Sequence, residues 1–562
     1  MKKTINNIII ALGASFGLTS CSDFLDILPL NDVVLENYWT EKSDVTSNVN
    51  GCYEALEINE CINRLGLWGE IRSENMRLGT NVPNEVNEIL KENILPSNPY
   101  CSWAAIYDVI NRCNTVCHYA PGVQAIDPNY TEDEMKSDMA QASAIRALCY
   151  FYLIRTFRDV PYSKEPSIDD AQRYIIPASS FETVLDTCIA DLEKVKDDAV
   201  RRYYADDSNN AYRNSSRITR QAIYALLADM YLWKGDYDKC IHYCDLVLDF
   251  KRNQYDEMVI RNGAPTDIAL FGDIPMILDK PVGTTQCGNS YNSIFGSGNS
   301  FESIFEIYFR TNTTRLNTWV GRFYVDGANS NNGYLSAPDF LRKDVAVGNH
   351  TIFKKTDCRA YSSVGVDGSR YFISKYVYQN VSFKNQNITS EKDLGLMTSK
   401  GTPTVSNWIF YRLSDVILMK AEAEIERGAE DGYKKAFALI NTVNKRANDV
   451  TNTSRSDTLK MEDYVSSKES MEELLLAERH REFLYEGKRW FDLVRFARRD
   501  GNNDRLITLA TRKYIENVNA IKIKLANPNI IYFPYSKSEL KANPLLKQNP
   551  AYMAGEDSEL TK

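Results

Sequence analysis

The sequence predicts a mostly α-helical fold: a right-handed superhelix of about four helical hairpins that carries an irregular, loop-rich insert with short strands. Three observations predict it. Apolar residues recur at helical spacing in paired runs joined by short turns. Residues 256–410 change texture and become rich in Gly, Asn, Ser and Thr. The 562 residues, 43% hydrophobic and 25% charged, have an ordinary globular composition with room for a large core.

The chain opens with a leader. Lys2 and Lys3 form a basic start, and Ile8 to Leu18, IIIALGASFGL, carries no charge. That run is too short for a membrane span, which needs about 20 apolar residues, and fits a secretory segment of roughly 7 to 15. Leu18-Thr19-Ser20-Cys21 resembles a bacterial lipobox, in which cleavage makes Cys21 the acylated first residue. Each buried acyl methylene contributes ~0.8 kcal/mol, so one cysteine can hold the whole chain at a membrane. Ser22-Asp23-Phe24-Leu25-Asp26 then reads as an extended tether. The expected division is 1–20 signal peptide, 21–300 N-terminal helical region and 301–562 C-terminal region.

The hairpins follow in order. Ala140 to Phe157 is one helix, with a partner at Phe181 to Val195 after the Pro161 to Pro177 loop. In Thr219 to Phe250, Ala222, Ala225, Leu226, Ala228 and Leu232 mark a helix, Gly235-Asp236 breaks it, and Tyr237, Ile241, Cys244 and Leu248 mark a second. Small residues packed on large ones across a short turn make a hairpin of the tetratricopeptide kind. Leu413 to Arg427 with Tyr433 to Arg446, and Met471 to Tyr485 with Lys488 to Arg498, give two more pairs. Within the insert, Ile304 to Phe309 and Tyr371 to Tyr378 read as short strands. Long loops on a rigid scaffold are where binding residues concentrate.

Charge and motifs exclude several functions. The formal charge is −9, and about −11 once the leader with Lys2 and Lys3 is removed, which argues against a nucleic-acid partner. The 12 cysteines are scattered and leave an odd number once Cys21 is set aside, so no disulfide framework is expected. Cys113/Cys117 and Cys240/Cys244, with His118 and His242 nearby, are weak as zinc ligands without a second matching pair, and small core thiols are expected instead. His118, His242, His350 and His480 fit no metalloprotease pattern, and there is no Gly-x-Ser-x-Gly elbow or Walker loop. No catalytic residue, cofactor or metal is expected. A glycosidase needs only two carboxylates, so surface hydrolysis stays open as the second reading, and a protein-binding helical-repeat adaptor as a third.

Five segments in order are similar to one family: Cys21-Ser22-Asp23-Phe24-Leu25-Asp26, the turn at Gly235-Asp236-Tyr237, Arg412 to Glu424 (RLSDVILMKAEAE), Glu478 to Arg495 (ERHREFLYEGKRWFDLVR) and Asn543 to Tyr552 (NPLLKQNPAY). They resemble the SusD/RagB family, over nearly the whole mature chain. The resemblance implies a non-catalytic outer-membrane lipoprotein of superhelical fold. Such a protein captures glycans, occasionally peptides, for a SusC-like TonB-dependent transporter. The residues themselves read as structural: Glu478, Arg481, Glu482, Glu486 and Arg489 can pair across two helices, and Arg412 with Asp415 likewise.

A sugar site wants exposed aromatic faces beside polar side chains. Trp39, Trp103, Trp233, Trp408 and Trp490 lie in segments that predict packing. Trp319, in the polar run Arg310 to Tyr334, is the leading candidate platform, with Tyr291, Phe323, Tyr324 and Tyr334 completing it and Arg315 and Asn317 supplying hydrogen bonds. Its competing role is to anchor its own loop or to contact the transporter. Trp68, followed by Arg72 and Asn75, is a further candidate whose reading leans to the core. For the anchor, Cys21→Ala is expected to move the protein from the membrane to the soluble fraction; a mutant retained on membranes would contradict the lipobox reading.

Overall fold

The structure, a computed structural model, describes residues 38–168, 175–206, 208–279, 289–310, 315–325, 333–342, 351–354, 356–383, 394–400, 405–448 and 459–553. Cys21 and the leader lie outside them. Helices dominate: α1 (Lys42–Leu56), α2 (Asn59–Glu70), α3 (Ala104–Ile126), α4 (Glu132–Phe157), α5 (Phe181–Val195), α6 (Arg220–Lys234), α7 (Tyr237–Asn262), α8 (Leu413–Arg427), α9 (Gly432–Asn448), α10 (Lys468–Glu482) and α11 (Arg489–Asp500). Among the described residues no helix is long and apolar enough to cross a membrane.

Local chemistry sets the helix ends. Thr131 and Glu134 form a reciprocal capping box that starts α4, and the Ser180 hydroxyl accepts from Thr183 N–H at the start of α5. Thr219 caps α6, Gly235 ends it in the left-handed region at φ 83°, and the Asp236 carboxylate caps α7 at once. That chemistry folds α6 and α7 into the expected hairpin. α4 packs on α5 and α8 on α9, as the sequence predicts, while α3 on α4 is an additional pair.

The fourth expected pair makes only a short contact, beside its turn, where Arg479 pairs with Asp492 at 2.8 Å and Arg489 donates to the Leu476 carbonyl at 2.9 Å. α10 lies on α8 and α9, whereas α11 lies on α2 and on the short helix Asp504–Ala510. The cause is the link between them. Tyr485 and Gly487 both take positive φ, 67° and 71°, which turns the chain sharply. The Glu70 carboxylate on α2 then accepts from the backbone N–H groups of Tyr485 (3.2 Å), Gly487 (2.9 Å) and Lys488 (3.2 Å). A Cβ on Gly69 would meet the Gly487 carbonyl oxygen at 1.7 Å, so this contact requires glycine.

The insert contributes strand pairs rather than one sheet. β1 (Ile268–Phe271) pairs with β2 (Ile274–Ile277), β3 (Ser303–Ile307) with β8 (Trp408–Arg412), β4 (Val364–Asp367) with β5 (Arg370–Ile373), and β6 (Tyr378–Phe383) with β7 (Leu394–Ser399), all antiparallel. The β3–β8 ribbon is buried on both faces and sits in the same apolar core as the helices of both halves. All seven tryptophans are buried.

Beneath that core lies a network of buried charge. Glu482 binds Arg412 at 2.6 Å and Arg359 at 2.7 Å, and also pairs with Arg446. Glu486 takes Arg412 at 2.8 Å and the Lys375 ammonium at 2.6 Å, and Arg446 reaches Glu302 at 2.9 Å. Burial raises the pKa of Glu486, but Arg412 and Lys375 outweigh it and hold the carboxyl down at about 2. A carboxylate depressed in the folded state stabilises fully above its ordinary value near 4.5 and loses that contribution as pH falls toward about 2. Glu486→Gln should therefore cost about 3–5 kcal/mol near neutrality, the cost of breaking a buried pair. In urea melts the gap to wild type should narrow as pH drops from 4.5 toward 3; a gap that stays constant would contradict the network's ionised state.

Candidate functional site

A cleft of about 370 Å³ opens where the C-terminal end of α1, the turn Arg213–Ser216 and the exit of β3 meet. Three local features build it. β3 leaves its partner β8 at Ile307, Phe309 N–H donates to Asn407 Oδ1 at 3.2 Å, and Tyr308 and Arg310 come out on one side of the extended chain. On the second wall, Asn214 holds the turn: its Oδ1 accepts from Tyr203 N–H (2.8 Å) and Tyr204 N–H (3.1 Å), and its Nδ2 donates to the Tyr204 carbonyl (2.8 Å). The third wall is α1, which presents Asn50, Tyr53, Glu54 and, at its end, Glu57.

The Tyr212 and Tyr308 rings face each other across the junction, centroids 4.8 Å apart and tilted by 34°. Both are half-buried, and Arg310 beside them is exposed. Arg310 donates to the Tyr212 hydroxyl at 3.0 Å and lies 5.7 Å from the Tyr308 ring centre. Arg213 donates to the same hydroxyl at 3.4 Å and to Tyr204 at 3.3 Å. Arg217 binds the Asn50 side-chain oxygen and lies 5.1 Å from the Tyr53 ring centre, and Arg315 pairs with Glu54 at 3.5 Å. Rings with exposed area and convergent polar groups are what a carbohydrate site requires.

The electrostatics are uneven. The Arg213 hydrogen bond draws the Tyr212 hydroxyl below its ordinary pKa, with Arg310 acting in the same sense. Burial pushes Glu57 up to about 7 against the opposing pull of Arg315, with Glu54 adding to the rise. Burial likewise lifts Glu306 to about 7 behind the cleft, although Asn407 and the Asn299 N–H bond its carboxylate. Another depression, an open groove of about 580 Å³ between Met76–Leu78 and Lys513–Lys524, is larger and also carries Arg77, Lys91, Lys513 and Lys524, but its lining holds one aromatic ring, Tyr514, and no ring pair.

The leading aromatic candidate has to be corrected. Trp319 is 0% exposed, because Trp319–Tyr324 forms a short π-helical turn whose Trp319, Val320, Phe323 and Tyr324 face inward. Its indole lies against Gly66 of α2, where a Cβ would approach within 2.3 Å. Tyr324 donates to the Tyr485 carbonyl at 2.8 Å, Tyr291 to that of Ser374 at 3.0 Å, and Asn317 Nδ2 to that of Ser406 at 2.8 Å, all in the interior. Phe323 is buried and the half-buried Tyr334 stands edge-on to it at 5.4 Å. Trp68, Arg72 and Asn75 are also core residues: Trp68 donates to the Tyr100 carbonyl, Arg72 pairs with Glu92 at 2.6 Å, and Asn75 bonds Glu70 at 2.6 Å. Arg315 is the one of these candidates that lines the cleft. Sequence reasoning passed over Tyr212-Arg213, in the polar stretch NNAYRNSS, and Tyr308 and Arg310 at the strand's end. An aromatic flanked by arginine in an apolar-poor loop was the available signal.

Comparisons with known proteins agree with this fold. Residues 302–552 match the SusD family model, and residues 23–232 match the model described as starch-binding associating with outer membrane. The SusD-like protein P38 of Formosa agariphila is 23% identical over 558 residues, 97% of this chain and 98% of that one. A SusD superfamily structure from Bacteroides vulgatus ATCC 8482 superposes with TM-score 0.63 at 19% identity, covering 92% of this chain and all of the other. A structure named as a laminarin-binding SusD-like protein gives TM-score 0.59 at 19% identity, covering 91% of this chain and 100% of that one. Matched by two SusD-type models that together take in residues 23–232 and 302–552, most of its length, the chain belongs to the SusD/RagB family.

Proposed function

We propose that this protein is a non-catalytic surface lipoprotein that captures an oligo- or polysaccharide in the cleft around Tyr212 and Tyr308 and delivers it to a SusC-like TonB-dependent transporter. The observation that carries the reading is the half-buried tyrosine pair flanked by convergent arginines and glutamates. A sugar ring has flat C–H faces for the phenols and hydroxyl rims for the charged groups. Supporting it are the family membership, the structural relative named for laminarin binding, and the lipobox-like leader ending at Cys21. Acylation of Cys21 would place the protein at the outer membrane, facing the cell surface, with no need of a membrane-spanning helix.

One observation favours a second reading. Glu57, raised to about 7 beside Glu54, has the protonation a general acid needs, so surface hydrolysis is the alternative. Titration calorimetry of the chain cut after Cys21 against a polysaccharide panel, followed by a reducing-sugar assay, separates the two. Saturable binding without released sugar is expected; released sugar that disappears in Glu57→Gln would favour hydrolysis. Tyr212→Ala and Tyr308→Ala should each weaken binding about tenfold, the loss of roughly 1.4 kcal/mol of contact, with little change in melting temperature. An unchanged Kd in both variants would contradict the site.

A further inference from the structure

We infer that the glycan held in this cleft is anionic, a polysaccharide carrying carboxylate or sulfate groups; this rests on the capture reading above. Four arginines, Arg213, Arg217, Arg310 and Arg315, line one cleft of a chain whose formal charge is −9. A guanidinium offers five N–H donors and no acceptor, in a planar fork that matches a carboxylate or sulfate edge. Such a lining is rich in donors, whereas a neutral sugar presents hydroxyls that need donors and acceptors together.

Two of these arginines are held by uncharged groups. Arg213 is oriented by the hydroxyls of Tyr204 and Tyr212, and Arg217 by the Asn50 amide and the Tyr53 ring, all uncharged groups. Arg310 bonds the Tyr212 hydroxyl, and Arg315 pairs with Glu54 at the rim, where both side chains keep solvent contact. The other two carboxylates of the lining, Glu57 and Glu306, are each raised to about 7 by burial and so are only partly charged near neutrality. Arg213 and Arg217 thus make their hydrogen bonds to uncharged groups, beside carboxylates of the lining that are only partly charged.

The geometry also divides the labour. Tyr212 and Tyr308 offer ring faces to the sugar, while Arg310 and Arg213 converge on the Tyr212 hydroxyl, 3.0 and 3.4 Å away, at the edge of the same pair. A pyranose stacked on the phenols would thus project an equatorial acidic substituent toward two guanidiniums held in advance, which lowers the ordering cost of a charge-assisted contact.

The test compares matched ligands on the chain cut after Cys21. Oligogalacturonate is measured beside its carboxyl-reduced form, and a sulfated galactan oligosaccharide beside its desulfated form. At least one acidic ligand is expected to bind about tenfold or more tightly than its neutral counterpart and to weaken as ionic strength rises from about 0.05 to about 0.3 M. Which of the two pairs responds separates uronate from sulfate. Arg310→Gln and Arg213→Gln should each lose about tenfold more affinity for the acidic ligand than for its neutral form, with Arg310→Lys intermediate because it keeps the charge and loses the fork. Unchanged melting curves check that the variants fold. Equal or tighter binding of the neutral forms, still dependent on Tyr212, would overturn the anionic assignment and leave glycan capture standing. Binding to no member of either pair, nor to any neutral polysaccharide, would overturn both.

Discussion

The fold depends on the ionic cluster around Glu482 and Glu486. These two carboxylates close the α10–α11 corner, yet their partners come from four other places: Arg412 at the end of β8, Arg446 on α9, Arg359 after Asp357, and Lys375 after β5. Charges this deep are expensive to desolvate, and they persist because nearly every oxygen has a cationic or N–H partner. Apolar side chains could fill the same volume. Apolar contact chooses partners only through shape, whereas these ion pairs add direction to the choice of which strand end meets which helix. A second set ties the halves together: Glu70 holds the 485–488 turn, and Glu74 pairs with Arg489 at 2.6 Å.

From this cluster the path to the cleft is short. Arg412 is the last residue of β8, which pairs antiparallel with β3 through two register shifts, and Arg446 reaches Glu302 immediately before β3 begins. The Leu413 N–H donates to the Glu302 carbonyl at 2.9 Å and locks the ribbon at that end. With its start fixed, β3 delivers Tyr308 and Arg310 where Tyr212 waits on the Asn214-held turn. The site is thus built from three segments that are remote in sequence, and the rigid ribbon is what gives a half-exposed tyrosine pair a defined spacing. Preorganisation of that kind is how a shallow cleft can hold a flexible polymer without a large apolar area.

Much of the scaffold was legible in the sequence. The bounds of α5 and α8, the break at Gly235-Asp236, the burial of five tryptophans and the pairing of Arg481 with Glu478 at 2.7 Å all follow from periodicity, capping chemistry and charge spacing. The site was not. Trp319 sits in a turn of six residues, too few to display a hydrophobic period, and its burial depends on Gly66 far away in the chain. Arg310 and Tyr212 are 98 residues apart, and nothing local in either segment announces the other. The looseness of the α10–α11 pair was hidden for the same reason: helical periodicity marks the two helices, but Glu70, which holds the turn between them, belongs to a distant element.

The central claim is that this protein holds its ligand between the α1 end, the Arg213–Ser216 turn and the exit of β3. The most direct measurement is a crystal structure of the chain bound to an acidic oligosaccharide. The account predicts a sugar ring stacked on the free face of Tyr212 or Tyr308 with an acidic group on Arg213 or Arg310. A ligand seated elsewhere, for example in the open groove beside Tyr514 and Ile515, with the tyrosine cleft unoccupied, would contradict it.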